Sequence, residues 1–355
     1  EGVWRVAVPP YRVDVQREAD LVEEVLRIYG YNNVEIPVQV RSTLSYAAKP
    51  DRNRLMNLAA DYLTAGGFTE IMSNSLTKES YYEGLTSYPA ARCVRILNPL
   101  SADLNVMRQT LLFNTMEAVQ LNANRRNGNL RLYEFGNCYF YDEAARDAEK
   151  PLSSYSEQYR LAIAVTGAAS SFFTLRAVAE KLLRRFGLDI YALKCEPLQS
   201  DLFGDGISLS AGNGRELLQM GVVAPRIRRA FDLKQEVYYL EMNFDALVKS
   251  TRKHRIAFEE LSKFPEVKRD LALLVDRQVT FAQLRAIALA TERKLLKSVS
   301  LFDVYEGDKL PEGKKSYALS FVLEDKSQTL TDKAIERVMN NLQAQFERQA
   351  GAVVR

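Results

Sequence analysis

Residues Leu130-Arg131-Leu132-Tyr133-Glu134-Phe135-Gly136-Asn137-Cys138-Tyr139-Phe140-Tyr141 read as one long β-strand. Aromatic residues suit a pleated, half-buried surface. Gly136, inside the run, predicts a bulge. A polar loop follows over 142–156, then a buried-type strand at 159–166. Upstream, Leu55, Leu58, Ala59, Tyr62 and Leu63 form a helical stripe that Gly66-Gly67 ends. Strands are predicted at 68–76 and 93–97, and a helix at 111–126. Downstream come a helix at 172–186 and several strands between 192 and 243. This mixed order predicts an α+β domain built around an antiparallel sheet.

From about Phe264-Pro265 the elements alternate: strand 271–275, helix 280–291, strand 295–305, strand 315–323, helix 331–348, strand 352–354. That is the β-α-β-β-α-β order of ferredoxin-like domains. Thr331-Asp332 opens the last helix with capping chemistry. RNA-recognition domains share this fold with many unrelated proteins, so the order alone assigns no function.

The start of the chain reads as a strand over Val3–Val8, ended by Pro9-Pro10, and a helix from about Glu18 to Tyr29 capped by Gly30. Asp20, Glu23 and Glu24 fall at i, i+3 and i+4 and share one helix face, beside the apolar stripe Leu21, Val25 and Ile28. Like charges at that spacing repel by a few tenths of a kcal/mol per pair. Three things answer the repulsion. A hard cation such as Mg²⁺ or Ca²⁺ suits all-oxygen ligands. The helix dipole favours acids in the first turn. Arg12, Arg17 and Arg27 stand ready as counter-ions. Residues 35–50 read as a linker.

With 355 residues, 47% of them hydrophobic, the chain has material for two or three packed domains. A formal net charge of +3, with both signs interspersed, neither announces nor excludes nucleic-acid binding. The three cysteines, Cys93, Cys138 and Cys195, make no zinc spacing and read as a reducing compartment. No apolar run reaches membrane-spanning length. The opening Glu1-Gly2-Val3-Trp4 reads as cut from a longer protein. A single histidine, His254, in the basic run 249–255 leaves no histidine-rich metal site and reads as a loop residue.

Three segments resemble one family, the β subunit of bacterial phenylalanyl-tRNA synthetase. PPYRVDVQREADLVEEVLRIYGYNNV (9–34) resembles the end of its B5 domain. LNPLSADLNVMRQTLLFNTMEAVQLNANRR (97–126) and LRLYEFGNCYFYD (130–142) resemble its synthetase-like core. SKFPEVKRDLALLVD (262–276), SVSLFDVYEG (298–307) and KKSYALSFVLED (314–325) resemble its anticodon-binding domain. The resemblance implies three parts: the end of a B5-like domain (1–42), a degenerate class II synthetase-like antiparallel-sheet core (43–258), and a ferredoxin-like anticodon-binding domain (259–355).

It also implies which residues carry function. In class II motif 1 a proline is expected where Asn74 stands. Motif 2 presents an arginine that grips the nucleotide α-phosphate in a bidentate, charge-assisted contact. Here that position holds Phe140, and only the acid Asp142 remains. Motif 3 needs a glycine-rich stretch with an arginine, and 237–255 contains no glycine. Phenylalanine cannot stabilise a phosphoryl-centred transition state. The core is therefore read as a scaffold and interface with no catalytic residue. ATP is used by the holoenzyme and not bound by this chain. The aromatic residues of 133–141 otherwise read as sheet packing.

Anticodon contacts map onto Ala272, Asp303, Tyr305 and Ser316. Tyr305 would stack on a base, Asp303 would accept from a guanine edge, and Ser316 would donate or accept. On residues alone, Tyr305 reads equally as the end of a strand before Gly307. Lys294, Lys297, Lys309, Lys314 and Lys315 would add sequence-independent phosphate affinity. A Mg²⁺ site shared with an α subunit maps onto Asp14, Asp20, Glu23 and Glu24. Implied partners are the α subunit, in an (αβ)₂ heterotetramer, and tRNA(Phe). The setting is cytoplasmic, with neither membrane nor DNA. The competing reading is a free-standing RNA-binding or scaffold protein derived from a class II core.

Overall fold

A computed structural model of the chain describes every residue except 1, 40, 41, 45–50, 253, 255, 256 and 259. The chain divides into two compact units, Glu1–Lys49 and Pro50–Arg355.

In the first unit, helix α1 (Glu18–Tyr29) has the bounds its sequence predicts. The Asp20 carboxylate accepts from the backbone N–H of Gln16 at 2.9 Å and of Arg17 at 2.7 Å, satisfying donors at the helix start. Gly30, at φ 93°, ends the helix, and its N–H donates to the Leu26 carbonyl. The strand expected at Val3–Val8 is absent. That segment has no paired neighbour, and Val3 and Trp4 are exposed. The stripe Leu21, Val25 and Ile28 is not packed either, since α1 buries none of its residues. Part of the predicted linker lies outside the described residues, as do two residues of the basic run around His254.

The second unit begins with α2 (Arg52–Ala65), capped by Asp51, whose carboxylate accepts from Asn53 and Arg54. Short strands β1 (Thr69–Glu70), β2 (Leu76–Thr77), β3 (Val94–Arg95) and β4 (Val106–Met107) precede α3 (Leu112–Asn124). Then come β5 (Leu130–Tyr141), β6 (Tyr155–Thr166), α4 (Phe172–Arg185), β7 (Lys194–Pro197), β8 (Phe203–Ser210), β9 (Glu216–Val223), α5 (Pro225–Ala230), β10 (Val237–Asn243) and α6 (Phe244–Thr251). The large sheet has the order β1-β5-β6-β10-β9-β8-β7 and is antiparallel apart from the β1–β5 pair. Strands β2, β4 and β3 form a separate small sheet.

Alternation along the long strands builds a core on each face of this sheet. Tyr133, Leu161, Ile163, Leu240 and Met242 pack with α2, α4 and α6. Leu132, Cys138, Phe140, Ala162, Ala164 and Tyr239 pack with α3 and α5.

Two carboxylates are buried on the second face. Glu134 and Glu241 pair in register with Ala162, one on each side of it. Glu134 accepts from Arg108 Nη1 at 2.8 Å and from the Ser73 N–H and hydroxyl at 3.1 and 2.9 Å. This explains why the strand expected over 68–76 is only Thr69–Glu70. Ile71 still donates to Tyr133, but at Ser73 the chain bonds to a side chain instead of the ladder. Glu241 accepts from Thr110 Oγ1 (2.6 Å), the Leu111 N–H (3.0 Å), the Tyr239 hydroxyl and Arg160.

Gly136 is not a bulge. The β5–β6 register runs unbroken from Leu130↔Thr166 to Tyr141↔Tyr155. A Cβ at Gly136 would lie 2.1 Å from Arg108 Nη2, so glycine makes room for the guanidinium that pairs with Glu134.

The remaining elements are β11 (Val267–Asp276), α7 (Phe281–Thr291), β12 (Leu296–Tyr305), β13 (Lys314–Leu323), α8 (Asp332–Ala350) and β14 (Val353–Val354). They realise the predicted β-α-β-β-α-β order, in a sheet ordered β12-β13-β11-β14. Thr280 and Gln283 close a capping box on α7, and Thr331 caps α8 through the Ala334 N–H. Both helices cover one face, burying Leu284, Leu342 and Phe346 against Leu273, Tyr317, Leu319 and Phe321. Arg285 joins this layer to the core, lying 4.3 Å over the Tyr191 ring and 3.6 Å from Asp189.

The Arg108 and Glu134 side chains are only 4% and 2% exposed. Breaking a buried pair leaves one uncompensated charge, so Glu134→Gln should cost about 3–5 kcal/mol. Urea unfolding measures this, and a loss under about 1 kcal/mol would show that the pair does not hold the core.

Candidate nucleic-acid interface

The face of the C-terminal sheet away from α7 and α8 collects the four residues mapped to RNA. On β13 the odd-numbered Tyr317, Leu319, Phe321 and Leu323 enter the core, which leaves Ser316 and Ala318 on the other face. Ala318 pairs with Ala272 on β11 and with Asp303 on β12, and Ser316 pairs with Tyr305. Asp303, Ala318 and Ala272 therefore form one row, and Tyr305 and Ser316 stand in the next.

Simple alternation would not give this result. Val299 and Leu301 pack toward the helices, so period-2 counting sends Asp303 and Tyr305 the same way. A register shift between Leu301 and Asp303 sets Phe302 outside the pairing and reverses the parity of the residues after it. Phe302 is 59% exposed and Tyr305 39%. Sequence reasoning missed this bulge. Its signal is the run Leu301-Phe302-Asp303-Val304-Tyr305, in which apolar residues at 301 and 302 break the alternation.

Both readings of Tyr305 have a structural counterpart. Its hydroxyl lies 2.7 Å from where a Cβ on Gly307 would sit, so the ring is seated over that glycine at the strand end. It is also partly open to solvent. Three of the five lysines are less available than their spacing implies. Lys297 bridges Glu266 (2.9 Å) and Glu324 (3.1 Å), and these hydrogen bonds raise its pKa. Lys314 pairs with Asp276 at 2.6 Å, and Lys315 is buried, 4.7 Å over the Tyr317 ring.

In the core, Phe140 is buried with the guanidinium carbons of Arg160 and Arg92 5.3 and 5.6 Å from its ring centre. Asp142 turns away to cap the next short helical turn, accepting from Ala144. The carboxylates that organise this face, Glu134 and Glu241, were not singled out from the sequence. Each is a lone acid between large apolar or aromatic residues, Tyr133-Glu134-Phe135 and Leu240-Glu241-Met242, which is the available signal.

In the N-terminal unit the acids meet arginine. Arg12 donates to both oxygens of Asp14, at 3.1 and 2.9 Å, and to Glu24, which Arg27 also pairs at 2.8 Å. Asp20 is occupied with the helix start, and Glu23 is exposed. Arg17, also named as a counter-ion, contributes its backbone N–H to Asp20. No group of three or more His, Cys, Asp or Glu among the described residues is arranged to hold a metal ion. The four carboxylates thus do not fit a self-contained Mg²⁺ site in this arrangement.

The chain was compared with known proteins. Residues 36–244 match the family described as phenylalanyl tRNA synthetase beta chain CLM domain. The chain belongs to the phenylalanyl-tRNA synthetase beta chain family. Residues 1–31 match the tRNA synthetase B5 domain and residues 262–355 the ferredoxin-fold anticodon binding domain. Relatives named phenylalanine–tRNA ligase beta subunit include those of Bacteroides fragilis (49% identical over 99% of this chain and 44% of that protein) and Porphyromonas gingivalis (41%, over 100% and 45%). The chain thus spans under half the length of the curated relatives it matches. Among solved structures, a pyrrolysyl-tRNA synthetase from Desulfitobacterium hafniense is similar over 58% of this chain and 71% of that one, at 15% identity and a TM-score of 0.46.

Hydrogen bonds from Arg12 hold the Asp14 and Glu24 carboxyls below their ordinary range, and the same bonds raise Arg12. Carboxylates depressed in the folded state stabilise it above their ordinary pKa, and that stabilisation is lost as pH falls through the depressed values. Titration followed by carboxyl-carbon NMR should find both acids low. Arg12→Ala should return both toward the ordinary range; unchanged titrations in that variant would show the pairs do not form in solution.

Proposed function

We propose that this chain serves as a non-catalytic part of the β subunit of a phenylalanine–tRNA ligase, which attaches phenylalanine to tRNA with ATP. The observation that carries the reading is Phe140. It stands, buried, at the position where resemblance to class II synthetases expects the phosphate-gripping arginine, with two guanidinium groups near its ring. Nucleotide chemistry is assigned to a separate α subunit, and the core serves as scaffold and interface for it. Met72, Leu97 and Leu100, 96%, 93% and 99% exposed on loops of the core, are the kind of apolar surface such an interface covers. The proposed assembly is an (αβ)₂ heterotetramer in the cytoplasm. Among the described residues no helix is long and apolar enough to cross a membrane. The proposed parts are 1–42, 43–258 and 259–355; the separate hydrophobic cores on either side of residue 259 support the last division.

The open face of the C-terminal sheet is the proposed anticodon surface. Tyr305 offers a ring to an unstacked base and Asp303 two acceptors, while Ser316, buried at 8% exposure next to Tyr305, is reached only once that ring moves onto a base. Ala272, small and central, lets a base approach the sheet. A stacking contact contributes about 1–3 kcal/mol. In the reconstituted ligase, Tyr305→Ala should therefore raise KM for tRNA roughly 5- to 150-fold with little change in kcat. An unchanged KM would remove the stacking role.

A shared Mg²⁺ site at Asp14, Asp20, Glu23 and Glu24 is proposed only for the assembled enzyme. There a partner's ligands would complete the oxygen set and Arg12 would release Asp14 and Glu24. Asp20→Asn with Glu23→Gln should then weaken α–β association in Mg²⁺, and equal association with and without the substitutions would reject the site. The free-standing RNA-binding reading is set aside, because relatives named phenylalanine–tRNA ligase beta subunit match 99–100% of the chain.

A further inference from the structure

One cavity of the core has no part in the role proposed above. It measures about 250 Å³ and opens on the Glu241 face of the large sheet, lined by Arg92, Gln109, Phe140, Gln158, Arg160 and Gln219, together with serine hydroxyls. Its lining contains amides, hydroxyls and two guanidiniums, and no carboxylate.

The two arginines differ in their partners. Arg160 pairs with Glu241 and donates to the Tyr88 hydroxyl at 2.8 Å and to Gln158 Oε1 at 2.8 Å. Burial raises the Tyr88 pKa to about 12, so that hydroxyl stays neutral and the Arg160–Glu241 pair accounts for both charges. Arg92 is exposed, rests on the Phe140 ring, and has no carboxylate within ion-pair distance among the described residues. The lining therefore carries one guanidinium with no carboxylate partner among the described residues, on an aromatic shelf, while the Glu216 and Asp201 carboxylates are bonded to the lining residues Gln219 and Ser87.

Two polar atoms, one a donor and one an acceptor, are left open here. Arg160 Nε and Gln109 Oε1 are buried without a hydrogen-bond partner, and Gln109 as a whole is fully buried. Gln109 spends both amide hydrogens, on the Pro89 carbonyl and the Cys93 sulfur, so flipping it gains nothing. Buried groups left this way point to an unseen partner in or beside the cavity. With its Oε1 taken by Arg160, Gln158 still has its amide N–H groups to give.

We propose that this cavity binds a small anionic metabolite of amino-acid size, with Arg92 holding its carboxylate or phosphate and the Gln158 amide donating to it, while Gln219, whose amide nitrogen is held by Glu216, offers its carbonyl oxygen. Drug-sized and nucleotide ligands need about 300–1,000 Å³, so the volume excludes a nucleoside triphosphate. Carboxylate and phosphate share the required chemistry, and the test separates them. Isothermal titration of the full 355-residue chain uses inorganic phosphate in one arm and L-glutamate in the other. Binding of either, weakened at least about tenfold in both Arg92→Gln and Gln158→Leu, is the expected result. Phosphate alone binding identifies a phosphorylated metabolite, and glutamate alone a carboxylic one. Arg92 is exposed, so its substitution leaves the fold intact, which circular dichroism checks. No binding of either probe up to about 10 mM, or equal binding in the Arg92 variant, overturns the proposal.

Discussion

Glu134 and Glu241 stand on either side of Ala162, in register across β5, β6 and β10, under a helical layer that leaves them 1% and 7% exposed. Unpaired, either carboxylate would cost several kcal/mol of desolvation. Much of the core is arranged so that neither is. The link from β4 to α3 supplies Arg108 to one, and Thr110 and the Leu111 N–H to the other. The segment after β1 supplies Ser73, and β6 supplies Arg160. Gly136 is glycine because a side chain there would collide with Arg108. The ion pairs thus tie the loops of one face to the three central strands.

That polar layer bears on function through the two sheet guanidiniums it commits. A class II site needs a guanidinium free to meet a phosphate. Here Arg108 and Arg160 are committed to carboxylates of their own sheet, and Phe140 stands on β5 where the family resemblance expects the phosphate-gripping arginine. The C-terminal layer shows the opposite use of a constraint. Its bulge at Phe302 frees two side chains, Asp303 and Tyr305, from the core parity and sends them to the open face. The core sheet buries Glu134 and Glu241, and the C-terminal sheet turns Asp303 and Tyr305 outward.

Much of this is legible in the sequence. The bounds of α1 and β5 and the whole β-α-β-β-α-β order follow from periodicity, caps and glycines, because those signals are local. The four residues of the open face come from the family resemblance as a set. Period-2 counting would not place them together, since a bulge depends on how two strands pair. Val3–Val8 has strand composition and no strand, because a strand needs a neighbour that composition does not reveal. Gly136 looks like a bulge in sequence because its reason, Arg108, lies across the fold. In the acidic cluster, spacing leaves the choice between cation, dipole and arginine open. Arg12, Arg27 and the helix start take up three of the four acids in this chain, through contacts that spacing alone does not rank.

The central claim is that this core belongs to a synthetase yet performs no adenylate chemistry. Phenylalanine-dependent ATP–pyrophosphate exchange tests it most directly, run on the chain alone and again with a phenylalanyl α subunit and the remainder of the β subunit present. The account predicts no exchange above background from the chain by itself and exchange in the reconstituted assembly. Exchange catalysed by the chain alone, saturating with ATP, would contradict it.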